Sequence, residues 1–178
     1  MDTGEDILLS FIYAWGKSKK NNESIPTKTH LQKEIFLLMR RSPFLEMKDM
    51  YKFIPLWYGP FSIELSKDIS KLQEQNLITG DTYNIGLTPS GFKKASTIYN
   101  KLNSLEKEQI FEVKSKYNFM KLEDLLRKVY DMYPKFTTKS VLKKENVDLY
   151  FKQYLKNENI SEDDIIEAVN IAKEQTGQ

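Results

Sequence analysis

Cysteine is absent from the 178-residue sequence, and so is any long apolar run. Without cysteine the chain cannot form disulfides, thiolate metal sites or a cysteine nucleophile, and this fits a cytosolic protein. No run approaches the length of a membrane span, and the N-terminus carries acid where a signal peptide needs base. We therefore expect a cytoplasmic protein with no membrane attachment.

Histidine is nearly absent, because His30 is the only one. A serine triad or a histidine zinc site needs more, so we interpret His30 as a capping or surface residue at the start of a helix. The segment FEVKSK, with Glu112 and Lys114, resembles the tail of a metal-dependent nuclease motif, but its surroundings have a helical pattern. An acidic cluster near the C-terminus is better explained by compensation of a helix dipole than by binding of a divalent metal: Glu162, Asp163, Asp164 and Glu167.

Glycine is scattered over seven positions and forms no phosphate-binding loop. Together with the scarcity of histidine and cysteine, this predicts that the protein is not an enzyme and uses no cofactor and no metal.

The chain as a whole has little excess of either charge. Lys and Arg total 27 against 25 Asp and Glu, and a net charge of +2 does not by itself predict a polyanion partner. Residues 104–144 carry ten basic and six acidic side chains, whereas residues 145–178 carry three basic and eight acidic ones. The acidic part could pack on the basic middle segment of the same chain or of a second copy, so a homodimer stays open.

The spacing of apolar residues predicts helices on either side of one aromatic segment. A first helix is expected near 4–17, and Thr29 with Gln32 has the spacing of a capping box that opens a second helix, buried nearly all round. Residues 42–60 contain prolines that exclude a regular helix, so we expect a partly buried extended segment there.

A third helix and a hairpin follow. Ser62 is expected to cap a helix near 62–76, with a core stripe of Leu65, Ile69 and Leu72. Leu77 and Ile78 begin a strand, TGD turns it and TYNIGLT returns, which predicts a two-stranded wing. A fourth helix opens at Thr88, and its inward residues are Phe92, Ala95, Tyr99 and Leu102.

The remainder of the chain has helical patterns near 104–116, 119–133, 146–157 and 161–175. We therefore predict a mainly α fold. A winged helix-turn-helix-like core with a two-stranded wing would occupy residues 1–103, and a C-terminal helical extension, residues 104–178, would pack on it.

Three stretches of the sequence resemble a known family. They are THLQKEIFLL, FIPLWYGPFSIELSKDISKLQEQNLI and GLTPSGFKKA, which follow the layout of YwgA-like proteins and of the related Panacea antitoxin domain. The most specific part is YGPFS, at residues 58–62, followed by Leu77-Ile78, and the resemblance covers about residues 25–140. It implies a mostly helical, winged-helix-like fold without catalytic chemistry. Panacea domains are associated with neutralising toxins by direct contact, and some relatives act as adaptors that deliver a partner for proteolysis.

Two classes of partner stay open, and we expect the first, DNA bound by a regulatory protein, because a winged-helix fold is most often used that way. A DNA-binding regulatory protein would reach phosphates and base edges with polar residues of the third and fourth helices, namely Ser62, Lys67, Lys71, Lys93 and Lys94. Phosphate binding draws on basic groups whose charge is not compensated. The exposed surface of the third helix also carries three acids, which weaken this hypothesis: Glu64, Asp68 and Glu74.

The alternative is an antitoxin-like or proteolytic-adaptor-like module that acts by direct protein contact. Its interface would lie in the aromatic segment, at Trp57, Tyr58 and Phe61. Besides Lys93 and Lys94, the chain has four basic clusters, and the sequence leaves open which of them share a face: Lys17, Lys19 and Lys20; Arg40 and Arg41; Lys114, Lys116 and Lys121; and Lys139, Lys143 and Lys144.

Overall fold

The computed structural model describes residues 3–56, 58–80 and 83–137. Its α-helices are α1 (Gly4–Tyr13), α2 (Lys28–Leu38), α3 (Ile63–Glu74), α4 (Pro89–Asn100), α5 (Ser104–Tyr117) and α6 (Leu122–Met132). Its strands are β1 (Ile25–Thr27), β2 (Ile54–Leu56), β3 (Gly59–Phe61), β4 (Ile78–Thr79) and β5 (Tyr83–Leu87), and short 3₁₀ helices lie at Phe44–Met47 and Pro134–Thr137. The mainly α class is confirmed for these residues, whereas the helices predicted near 146–157 and 161–175 lie outside them.

A small antiparallel sheet has β5 at its centre. Ile78 of β4 lies opposite Leu87, which confirms the predicted hairpin. On the other edge, Ile25 of β1 lies opposite Ile85. The sequence does not predict β1, because a strand of three residues gives too short an alternation to be recognised.

The start of α2 differs from the prediction. Thr27, not Thr29, is the N-cap, and its hydroxyl accepts a hydrogen bond from the backbone N–H of His30. Pairing of β1 with β5 keeps the chain extended as far as Thr27, so the helix begins directly after the strand. Gln32 does not close the predicted capping box, because its side chain points into the core and binds Ser62.

Helix α1 ends at Tyr13, four residues earlier than predicted. The ammonium group of Lys114 donates hydrogen bonds to the carbonyl groups of Phe11, Ile12 and Ala14, at 3.1, 2.8 and 2.7 Å. The last carbonyls of a helix need such partners once no further turn follows. A lysine from α5 therefore ends α1 by taking the place of the next helical turn.

The segment of residues 42–60 is extended only in its last part. It begins with a 3₁₀ helix, and Phe44 and Tyr51 anchor it in the core. It then forms a hairpin of β2 and β3, in which Ile54 lies opposite Phe61 and Leu56 opposite Gly59.

Helix α2 is the centre of the core, and residues 30–39 are all buried. Helices α5 and α6 pack on α2, while α1 packs on α3 and α4. The predicted stripe of α3 is confirmed, since Leu65, Ile69 and Leu72 are buried. The inward position of Phe92 is wrong, because that ring is 39% exposed. Among the described helices none is both long and apolar enough to cross a membrane.

Gly59 provides a test of the corner between β2 and α3. Its φ is +83°, and a methyl group there would lie 2.6 Å from Cε1 of the buried Tyr130. We expect Gly59→Ala to lower the free energy of unfolding by about 2 kcal/mol or more, from backbone strain and the clash together. Gly86→Ala is the control, because the nearest atom to its new methyl group is 3.5 Å away. Chemical denaturation measures both variants, and an equal loss in the two would contradict this account of the corner.

Candidate functional site

Ser62 is buried and cannot contact DNA from this position. Its hydroxyl caps α3 by accepting from the N–H of Leu65 and donates to Glu64. Its backbone N–H and carbonyl are both bound by Gln32, at 3.0 Å each. The prediction of Ser62 as a helix cap is confirmed, whereas its assignment as a nucleic-acid contact is wrong, because every polar group of the residue has a partner inside the protein.

Part of the charge on the outer face of α3 is engaged within the protein. Lys71 donates to Glu5 of α1 at 2.5 Å, and this bond raises the pKa of Lys71. Asp68 accepts a hydrogen bond from the hydroxyl of Tyr51 at 2.8 Å, and burial raises the pKa of its carboxyl group. Lys67 is exposed, as is Glu64 one helical turn before it. The structure therefore gives α3 little uncompensated positive charge.

Helix α4 has a different electrostatic character. Its outer side exposes Lys93, Lys94 and, just beyond its end, Lys101. The sequence contains no Asp or Glu from residue 82 to residue 105. The positive charge of α4 is consequently not offset along the chain.

The loop between α1 and β1 lies beside α4. The ring of Tyr13, at the end of α1, contacts Phe92 and Tyr99 of α4 with centroid distances of 4.9 and 5.2 Å. The Tyr13 hydroxyl also donates to Ser96 at 3.2 Å. These contacts attach the beginning of the loop to the side of α4.

Asn22 attaches the other end of the same loop to β5. Its side-chain oxygen accepts from the N–H of Leu87 at 2.8 Å, and its amide nitrogen donates to the Leu87 carbonyl at 3.2 Å. The side chain thus pairs with the strand as a neighbouring strand would. Because β5 runs directly into α4, this pair holds the loop next to the first turn of α4.

These contacts place the loop, which carries three lysines, next to α4, which with its end carries three more. We define the lysine face as the six exposed lysines of the loop and of α4 with its end: Lys17, Lys19, Lys20, Lys93, Lys94 and Lys101. Residues 14–22 of the loop also contain no acid. Within the part of the chain that the structure describes, no carboxylate lies within salt-bridge distance of these lysines. Five of these lysines are recognised in the sequence as members of basic clusters, but the sequence does not show that their two segments adjoin. Lys101 is not among the five, although the long run without acid around this residue could have indicated it.

Aromatic rings accompany the lysine face. Phe92 precedes Lys93 directly, and Trp15, which is 42% exposed, lies two residues before Lys17. Trp15 is held against Phe111 of α5 at a centroid distance of 5.8 Å. Of the three residues assigned to a protein interface, Tyr58 and Phe61 are half-buried, and Trp57 lies outside the described residues.

A pair of buried polar side chains on α2 positions the YGPFS corner. Lys33 donates from Nζ to the carbonyl of Pro60 at 2.9 Å, next to the contacts of Gln32 with Ser62. Burial lowers the pKa of Lys33 to about 7. These contacts join the LQK stretch to the YGPFS stretch and fix the position of one against the other. The sequence predicts that this helix is buried nearly all round, although it carries Gln32, Lys33 and Glu34. Because buried polar groups need partners, this combination could have indicated contacts in the core.

A second buried cluster surrounds Lys114. Glu23 accepts from the side chain of Asn118 at 3.0 Å and from the N–H of Ser18 at 2.8 Å. Burial acts to raise the pKa of Glu23, but these bonds and the charge of Lys114 outweigh it and lower the pKa. Burial lowers the pKa of Lys114 to about 8, and Glu34 and Glu23 oppose that change.

Glu34 is the least satisfied member of this cluster. Both carboxyl oxygens are buried without a hydrogen-bond partner among the described residues. Burial raises the pKa of Glu34 well above its usual value, although the charge of Lys114 opposes the rise. The described residues contain no group of three or more His, Cys, Asp or Glu that could hold a metal ion. This cluster is enclosed and acts on the end of α1 rather than on solvent.

His30 is buried, so its assignment to the surface is wrong. Its Nε2 donates to the carbonyl of Met120 at 3.0 Å, and Nδ1 therefore accepts from the Thr27 hydroxyl at 3.0 Å. Burial lowers the pKa of His30, against the effect of the Met120 bond. The ring ties the start of α2 to the connection between α5 and α6.

Comparison of the chain with protein-family models and with curated proteins finds no match. The likeness to the YwgA-like and Panacea families therefore stays an expectation from the residues, and the functional proposal depends on the site itself.

The buried ammonium group of Lys33 predicts a pH-dependent stability. Its pKa is about 7 in the folded protein and near its usual 10.5 in the unfolded chain, so above pH 7 the unfolded chain binds more protons. The folded state is therefore favoured as the pH rises from 7. Between pH 7 and pH 9, the free energy of unfolding of the wild type should rise relative to that of Lys33→Met by up to about 1.4 kcal/mol per pH unit.

Urea denaturation at several pH values measures this difference. Lys52→Met, at an exposed lysine, controls for the loss of one positive charge. A difference between wild type and Lys33→Met that does not change with pH would contradict the burial of an ionisable Lys33.

Proposed function

We propose that the protein is a non-enzymatic, winged-helix-like module that binds nucleic acid, DNA in the first instance, through the lysine face. The observation that carries the proposal is that two adjoining chain segments without acid, residues 14–22 and α4 with its end, expose six lysines. Such a grouping is the electrostatic feature expected of a surface that binds phosphates.

The element order supports the winged-helix part of the proposal. Three helices, a hairpin of β4 and β5, and a fourth helix follow one another. The long segment between α2 and α3 departs from a standard helix-turn-helix, which uses a turn of about three or four residues. This departure, together with the paired charges of α3, favours a contact surface away from α3.

Counterion release provides the driving force for binding. Each phosphate neutralised by a lysine frees condensed cations, and the affinity then falls with salt in proportion to the number of contacts. Six contacts to duplex DNA give a slope of log affinity against log salt of about −5. The exposed rings of Trp15 and Phe92 add surfaces on which unpaired bases can stack.

A protein partner is the competing proposal. It is supported by the exposed pair of Trp15 and Phe111, since aromatic residues are enriched at interface hot spots. This surface differs from the one at Tyr58 and Phe61 that the sequence favours. Absence of nucleic-acid binding at low salt would favour a protein partner over nucleic acid.

The test compares two double variants that remove the same charge. We expect Lys93→Ala/Lys94→Ala to weaken binding to random-sequence DNA and to reduce the salt slope by about 2, because each phosphate contact contributes about one unit. Lys67→Ala/Lys71→Ala should leave both quantities nearly unchanged, since Lys71 is already paired with Glu5. Fluorescence anisotropy between about 50 and 200 mM salt measures the affinities.

Two results would contradict the proposal. One is the absence of DNA binding by the wild type at the lowest salt, where electrostatic attraction is strongest. The other is a larger loss for the α3 variant than for the α4 variant, which would place the contacts on α3.

A further inference from the structure

No lysine of the lysine face lies within salt-bridge distance of a carboxylate in the part of the chain that the structure describes, and the acid bonded to the loop at Ser18, Glu23, is buried. Other basic groups are differently placed: Arg41 binds Glu112 at 2.6 Å, and Arg127 lies 3.8 Å from Asp124. Lys114 is enclosed and bound to backbone carbonyls. The lysine face is therefore a surface open to an anionic segment.

An anionic segment is present in the same chain. Residues 161–178 contain five acids and one lysine, and the acids are Glu162, Asp163, Asp164, Glu167 and Glu174. Residues 82–105 and 14–22, by contrast, contain only basic charged residues. The acidic segment and the two lysine-bearing segments are thus complementary in charge.

The segment also carries apolar residues that suit the rings of the face. Ile165, Ile166, Val169 and Ile171 lie between its acids. Trp15 and Phe92 are 42% and 39% exposed beside the lysines. Contact between these groups would remove apolar surface from water in addition to pairing charges.

The length of the connection permits the contact. The described chain ends at Thr137, and more than twenty residues connect it to Ser161, which span roughly 35 Å even if all of them are helical, at about 1.5 Å per residue. A compact domain of this size has a radius of gyration of roughly 14 Å. The acidic segment can therefore reach any side of the domain, α4 included.

We propose that the acidic segment of residues 161–178 docks on the lysine face of its own chain and competes there with nucleic acid. This inference uses the face of the proposed function, but docking and nucleic-acid binding can be measured separately. A tethered segment has an effective concentration in the millimolar range, about a thousandfold above a protein sample at micromolar concentration. Docking within one chain is for this reason favoured over docking on a second copy.

Lysine labelling of the full-length protein tests the docking directly. An amine-reactive reagent at low concentration, followed by mass spectrometry, gives the reaction rates of Lys19, Lys93 and Lys94. The rates are divided by those of Lys48 and Lys52, which are exposed and lie elsewhere. The test variant neutralises four acids of the segment: Glu162→Gln, Asp163→Asn, Asp164→Asn and Glu167→Gln.

The control variant neutralises four exposed acids of the domain: Glu74→Gln, Glu108→Gln, Glu112→Gln and Asp124→Asn. It changes the net charge by the same amount. We expect the relative rates at the lysine face to rise severalfold in the test variant and to stay at the wild-type level in the control. Equal rates in all three proteins, or an equal rise in both variants, would overturn the inference.

Two further readouts separate the alternatives. Protection that grows with protein concentration would assign the docking to a second copy and overturn the intrachain contact. In the DNA-binding assay, the test variant should bind with a higher affinity than both the wild type and the control variant. Protected lysines together with no DNA binding by any of the three proteins would support the docking and contradict the proposed function.

Discussion

The arrangement of the core depends on the contact between α2 and the backbone at Pro60 and Ser62. Gln32 binds both backbone polar groups of Ser62, and Lys33 binds the carbonyl of Pro60. All of these atoms are buried, and a buried polar group left without a partner costs about 1–3 kcal/mol. The start of α3 is thereby fixed on α2 by hydrogen bonds rather than by a short turn. This allows the chain between the two helices to be long and to form a hairpin of its own.

A similar use of buried polar side chains shapes the surface. Lys114 of α5 ends α1, so the following residues leave the helix and form the loop that carries three lysines. Tyr13 and Asn22 then hold this loop against α4 and β5. These contacts place the two lysine-bearing segments beside each other. In α3, by contrast, Glu5 and Tyr51 engage the charged residues, which leaves the helix an electrostatically balanced exterior.

Local patterns in the sequence predict α3, its cap at Ser62, its stripe of three apolar residues and the hairpin after it, because each depends on residues close in sequence. The early end of α1, the strand β1 and the burial of His30 and Lys33 depend on partners far along the chain. For the same reason the sequence contains the lysines of the proposed site but not their grouping. Ser62 illustrates both cases: its capping role is local, whereas its inaccessibility follows from Gln32, thirty residues earlier.

Mapping the contacts of a bound oligonucleotide would test the central claim most directly. Photo-crosslinking of labelled DNA to the wild-type protein, followed by identification of the crosslinked peptides, reports the contact surface without any substitution. The account predicts crosslinks in the loop of residues 14–22 and in α4, around Lys93 and Lys94. Crosslinks concentrated in residues 63–74 of α3 would contradict it.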